Sequence, residues 1–167
     1  MVLRSGITSS NCNVSCDIKT QWLCGGATVW KQEILRSFPH KEVSTKWAIG
    51  EDLLFSYPVG KVYPLYVCAS AHVRHEHSFD YVKTMPHRFH GRTQTLWLFY
   101  FVESNPELSF GFFLWALMLR SFTKCFIGVF RFDKSMMEFG FGQIESAAKI
   151  IYARVTGRKA SSLCADN

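Results

Sequence analysis

The sequence lacks the spacings that announce a metal or redox centre. Its six cysteines, Cys12, Cys16, Cys24, Cys68, Cys125 and Cys164, form no Cys-x-x-Cys pair and no zinc spacing. No Asp-x-Asp occurs, and Asp17 stands alone. No secretory leader is expected either, because Met1 to Asn13 is polar and has no apolar centre. The thiols are therefore expected reduced, as scattered small hydrophobes in a cytosolic compartment. Charged residues are few, at 19%, against 48% apolar residues, which excludes a disordered or collagen-like chain. The most apolar run, Phe110 to Leu119, spans ten residues without a charge, short of the ~20 that a transmembrane helix needs.

What is present suits one domain, or one domain with an appendage. A chain of 167 residues can bury roughly two-thirds of its unfolded surface. Aromatics reach 16%, with 15 Phe among them, and 19 basic residues against 13 acidic ones give a net charge of +6. That balance suits phosphate-bearing ligands or an anionic membrane surface. Residues 1–21 are polar and without clear periodicity, and the segment is expected to begin as a loop. From Trp22 to His77, short periodic segments broken by Gly and Pro read as an α/β unit. Val29, Trp30, Ile34, Leu35 and Phe38 share a helical face that Pro39 ends. Glu51 and Asp52 open a second helix, where carboxylates complement the dipole, and Pro58 with Gly60 is expected to close it early. Tyr63–Cys68 and Val73–His77 read as strands. Beyond Phe79 the pattern is mainly helical. Asn105 and Pro106 signal a helix start, and Ile144, Ala148, Ile151 and Val155 line the face of a last helix that Gly157 stops.

Four constellations could carry chemistry, and each has a plain structural alternative. Trp22-Leu23-Cys24-Gly25-Gly26-Ala27 could bring backbone close to a ligand, or simply turn the chain. Glu51 and Asp52 after Gly50 could place a general base in a cleft, or only cap a helix. His75 and His77 in His72-Val73-Arg74-His75-Glu76-His77 would share one strand face and could bind a metal, or form an exposed basic strand. His87 with His90, and Arg88 with Arg92, add one-turn pairs; arginine forks suit a diphosphate, and a solvated helix face suits them equally. The stretch from Pro106 to Arg131, ~39 Å as a helix, could lie in a membrane interface, cross the bilayer or fill a soluble core. Arg120 and Lys124 could snorkel from an interfacial helix to headgroups.

The order of these motifs carries more than any one of them. Trp22-Leu23-x-Gly25-Gly26 is followed by a helix, then Gly50-Glu51-Asp52-Leu53-x-Phe55-Ser56, then Tyr63-Pro64-Leu65-Tyr66-Val67, then Val73-Arg74-His75. This resembles the C-terminal half of a family 2 glycosyltransferase, an inverting enzyme of GT-A fold, over Trp22 to His77 and more loosely over Phe79 to Arg92. The resemblance implies an α/β fold: a partial GT-A sheet over residues 22–100, then a helical, apolar region over 101–167, associated with a membrane. It implies that Asp52 is the catalytic base on the acceptor hydroxyl and that Glu51 helps to form the acceptor site. Gly25 and Gly26 match the turn beside donor sugar and acceptor, with Trp22 at its entry. His75 matches a histidine that helps to hold a metal-bound diphosphate, and Arg88 and Arg92 match basic residues near the leaving group.

The partners so implied are a nucleotide-diphospho-sugar donor and a sugar or lipid-linked acceptor, at the cytoplasmic face of a membrane; no nucleic acid is expected. A divalent metal, Mg or Mn, is expected for the complete enzyme. The pattern departs from the family at its start. The nucleotide-binding β-α-β half and its Asp-x-Asp are missing, so the chain reads as a fragment that supplies the base and the acceptor wall and is a weak catalyst by itself. Pro58 is a second departure, since relatives continue the helix after Asp52. The alternative function class is a non-catalytic, membrane-associated interaction module.

Overall fold

The computed structural model describes residues 1–9, 14–25, 28–40, 49–72 and 85–165. Among them the elements in chain order are β1 (Ile18–Thr20), α1 (Gln32–Ser37), α2 (Glu51–Val62), β2 (Leu65–Val67), α3 (His87–Glu103), α4 (Phe110–Phe130), α5 (Lys134–Thr156) and α6 (Ala160–Ala165). The chain is thus mixed α/β and mostly helical, and the sheet seen among the described residues is two-stranded and antiparallel. It divides into two compact units. The first comprises Met1–Leu3, Thr8–Glu42 and Gly50–Ser78; the second comprises Arg4–Ile7, Val43–Ile49 and Phe79–Asn167. The expected limit between residues 100 and 101 lies within α3. The expected strand Val73–His77 lies outside the described residues.

In the first unit β1 pairs with β2 in the register Ile18↔Val67, Lys19↔Tyr66, Thr20↔Leu65. The pairing continues where the Ala69 N–H donates to Asp17 Oδ1, 2.8 Å. Part of the polar N-terminal segment is therefore strand rather than loop, because Ile18 and Thr20 are β-branched and find a partner 45 or more residues away. The core is Phe55, Val59 and Leu65, packed by Leu23, Trp30, Ile34 and Phe38. Trp30 meets Phe55 edge-on at 5.0 Å. The expected helical face from Val29 to Phe38 is realised only in part. α1 has six residues, too short to turn five side chains inward, so Trp30, Ile34 and Phe38, spaced by four, face the core. Val29 is 97% exposed and Leu35 is exposed.

Pro58 does not close α2, which runs on to Val62 with the proline inside it. An interior proline forfeits a hydrogen bond and costs ~3 kcal/mol. Stopping at Pro58 would instead draw Val59, which is fully buried, out of a core where each such side chain is worth about 1.5–3 kcal/mol.

In the second unit α5 is flanked by α3 and α4. α4 begins at Phe110 and not at Pro106. Ser109 is its cap, the Oγ accepting from the Phe112 N–H at 3.4 Å. Asn105 instead belongs to the end of α3: it is buried, and its Nδ2 donates to the Phe101 carbonyl at 2.8 Å. α4 continues through Arg120 and Lys124 without a break. Asp133 caps α5 through Met136, 3.0 Å, and Gly157 ends it in the left-handed conformation, as expected.

The face that α5 buries differs from the expected one. Gln143, Ser146, Ala147, Ile150 and Ala153 point inward, while Ile151 is exposed and Val155 is 81% exposed. Glycine sets this rotation. A Cβ on Gly142 would strike the Arg88 carbonyl, and one on Gly91 would strike the Phe139 carbonyl. α3 and α5 therefore touch backbone to backbone, which only a small-residue face permits. Ser146 Oγ donates to the Arg92 carbonyl across the same seam, 3.2 Å. Gly142→Ala is expected to cost about 1–3 kcal/mol, the price of overpacking a tight contact. Gly111→Ala, where a Cβ meets nothing closer than Ser109 Oγ at 3.8 Å, should be neutral or stabilising by up to ~1 kcal/mol. Urea midpoints of the two variants measure the difference, and equal midpoints would contradict this packing.

Candidate active site

Gly50 turns the chain into α2 with φ 92°, a left-handed conformation suited to glycine. Asp52 thus falls in the first turn, where the free amides and the dipole favour an anion. Each oxygen of its carboxylate accepts one amide proton. Oδ1 accepts from the Leu53 N–H at 2.8 Å, and Oδ2 accepts from the Gly25 N–H at 2.8 Å. One helical turn further on, Ser56 Oγ accepts from the Leu23 N–H at 2.9 Å and donates to the Leu23 carbonyl at 3.2 Å. The match is geometric. Four residues of helix advance ~6 Å, and two residues of extended chain advance ~6.6 Å, so Asp52 and Ser56 on one face of α2 grip alternate residues of the Trp22–Gly25 segment.

The grip leaves no room at Gly25. A Cβ there would lie 3.3 Å from the Asp52 Cβ, tight for any larger residue. On its other side the segment borders an open cleft of about 460 Å³, lined by Trp22, Leu23 and Cys24 together with Lys19, Gln21 and Val67. The Trp22 indole Nε1 is buried and has no hydrogen-bond partner among the described residues. Below the segment, His40 stacks on Phe55 with ring centroids 4.0 Å apart. Glu51, the first residue of α2, is exposed. Gly26 and His75 lie outside the described residues.

Arg88 and Arg92 belong to the second unit. Both face Glu145 of α5. Arg88 Nη2 donates to Glu145 Oε1, and Arg92 Nη1 lies 4.0 Å from Oε2. The Arg88 hydrogen bond holds the Glu145 carboxyl below its usual range against the opposing effect of burial, and Glu145 in turn raises Arg88. His90 is lowered, chiefly by burial and then by His87 and Lys124, and it meets Phe139 edge-on at 5.4 Å. Burial pushes the Cys164 thiol up to about 12, which leaves it an inert packing residue.

Two contributors were invisible or unused in the sequence. Ser56 stood in the quoted motif without a role, although its spacing of four from Asp52 was a usable signal. Glu145 lies 57 positions from Arg88, and nothing local marks it. Among the described residues no group of three or more His, Cys, Asp or Glu side chains comes together, and both Asp52 oxygens already accept amide protons. The described residues do not form a divalent-metal site, and no step below is routed through one.

A carboxylate held low in the fold stabilises above its unfolded pKa and loses that effect as pH falls through the folded one. Glu145→Gln should therefore lower Tm at pH 7, and the gap to the parent should start to narrow only as pH falls below the ordinary Glu value of ~4.3. A gap that does not change with pH on acidification would assign the loss to packing instead of charge. Comparison of the chain with protein-family models, with curated proteins and with solved structures finds no match.

Proposed function

We propose that the first unit carries the acceptor side of an inverting, family 2-like glycosyltransferase of GT-A type, working at the cytoplasmic face of a membrane. The observation that carries this reading is the Gly25–Asp52 hydrogen bond, 2.8 Å across 27 residues of sequence. It joins the two motifs that the resemblance assigns to one site, the glycine turn and the acid that serves as base.

In this mechanism the acceptor hydroxyl rests against the Trp22–Gly25 turn. Asp52 Oδ2 keeps a lone pair beyond the one used by Gly25 and takes the hydroxyl proton as the oxygen attacks the anomeric carbon. The bond to the nucleoside diphosphate breaks with its electron pair leaving on phosphate, so the centre inverts. The two amides on Asp52 fix the carboxylate before the acceptor arrives, which is where orientation contributes most. Exposed Glu51 borders the acceptor. Gly26 and His75 keep the roles that the resemblance gives them. Arg88 is hydrogen-bonded to Glu145, with Arg92 4.0 Å from the same carboxylate, so no contact to the leaving group is built on them. The donor half, with its divalent Mg or Mn, would come from residues other than those described, and the chain by itself is a weak catalyst.

One observation favours a second reading, a non-catalytic module. Both Asp52 oxygens are used by backbone amides, as in a purely structural latch. Asp52→Asn separates the two. In this segment joined to a nucleotide-binding half that carries Asp-x-Asp, loss of a general base should lower single-turnover transfer by ~10²–10⁴. The nucleotide-sugar Kd should change less than about threefold, because binding common to ground and transition states is untouched. The structural reading expects a stability loss of ~1 kcal/mol with transfer per folded molecule preserved. Melting temperature and transfer rate measured on one sample distinguish these outcomes.

A further inference from the structure

Among the described residues one helix, α4, is long and apolar enough to cross a membrane, with a mean hydropathy of 1.5 and 22% of its apolar window buried. The packing of the second unit decides how such a helix would meet a bilayer. At 3.6 residues per turn, Phe112, Trp115, Leu119, Phe122, Phe126 and Phe130 fall within an arc of about 100°, and all six are more than half exposed. The opposite face, with Ser121 and Gly128, is buried against α5. The turn that follows adds Phe132, 95% exposed and held at φ 53°. A bulky residue in that conformation is strained, and here no packing inside the fold compensates it. We propose that α4 is an in-plane membrane anchor, whose outward aromatic stripe, with Phe132, lies among the acyl chains at an anionic bilayer surface. The proposal is independent of the glycosyl-transfer reading.

What α4 is packed against argues for lying flat over spanning. α5 runs antiparallel to it: Gly128 lies against Met137, Gly140 against Cys125, and Ser121 Oγ donates to Gln143 Oε1 at 3.4 Å. Arg120 is the midpoint of α4, and Glu145 with its partners Arg88 and Arg92 stands near the same level. A transmembrane α4 would carry all four ionised groups to the bilayer centre, where they are strongly disfavoured. Lying flat, the same helix keeps them in water. The charge pattern selects the lipid. α4 contains no Asp or Glu, Arg120, Arg131 and Lys134 are exposed at or beyond the stripe's border, and long basic stems reach anionic headgroups from such a position. A second copy is the weaker occupant. A stripe ~27 Å long and ~10 Å wide offers roughly a third of the ~800 Å² per partner of a stable interface.

Flotation of the full chain with vesicles of phosphatidylcholine, with and without 30% phosphatidylglycerol, tests this. The expected result is binding to the anionic vesicles, at least about tenfold weaker on pure phosphatidylcholine, and release by alkaline carbonate. Phe122→Glu with Phe126→Glu should abolish flotation while the far-ultraviolet circular dichroism spectrum is kept. Because the double variant can fail by unfolding, Phe132→Gly is the second probe. Glycine relieves the positive φ, so this variant should melt no lower than the parent, yet bind anionic vesicles several-fold less. Retention through carbonate would overturn the in-plane placement in favour of a span. Absence from both vesicle fractions would overturn the anchor. A lipid-free dimer that Phe122→Glu converts to monomer would give the stripe to a second copy and overturn it as well.

Discussion

The first unit depends on one helical face reading out one extended segment. Asp52 and Ser56 sit a turn apart on α2, and Gly25 and Leu23 sit two residues apart on the facing chain. The coincidence of the two repeats lets the helix satisfy three backbone groups with two side chains. The Leu23 groups are part-buried, where unpartnered backbone is costly, so this contact helps to fix where the chain goes after β1. It also accounts for a small residue at Gly25, where a Cβ would lie 3.3 Å from the Asp52 Cβ.

The second unit obeys a different constraint. Its helices approach closely because glycine and serine occupy the seams, with Gly91, Gly142 and Ser146 between α3 and α5, and Ser121, Gly128 and Gly140 between α4 and α5. Close approach satisfies hydroxyls locally, as in the Ser121 bond to Leu117 at 2.7 Å. It also leaves large apolar side chains outside. A soluble bundle normally buries those and exposes the small ones. This arrangement accounts together for the exposed phenylalanines of α4 and the rotated face of α5.

Much of this was legible from the sequence, and the gaps have physical causes. Gly157 as a helix stop and the carboxylates that open the helix at Glu51 are legible from local chemistry. Pro58 misleads because local chemistry says stop while the burial of Val59 says continue, and tertiary packing wins. Asn105 misleads because a side chain that can cap the next helix can also bond backward to Phe101. The α5 face misleads because apolar periodicity assumes an apolar interior, and here backbone contact at Gly142 sets the rotation. In the candidate site, Gly25 and Asp52 were marked by motif order. Glu145 was not, since long-range ion pairs leave no periodic trace.

The central claim is that the Asp52 carboxylate holds the Gly25 amide. Amide hydrogen exchange at Gly25 measures it directly. The account predicts that Gly25 exchanges at least about tenfold more slowly than an unstructured amide, and that Asp52→Ala removes this protection while Leu23, held by Ser56, keeps its own. Exchange of Gly25 at the unprotected rate in the parent protein, or protection that survives Asp52→Ala, would contradict it.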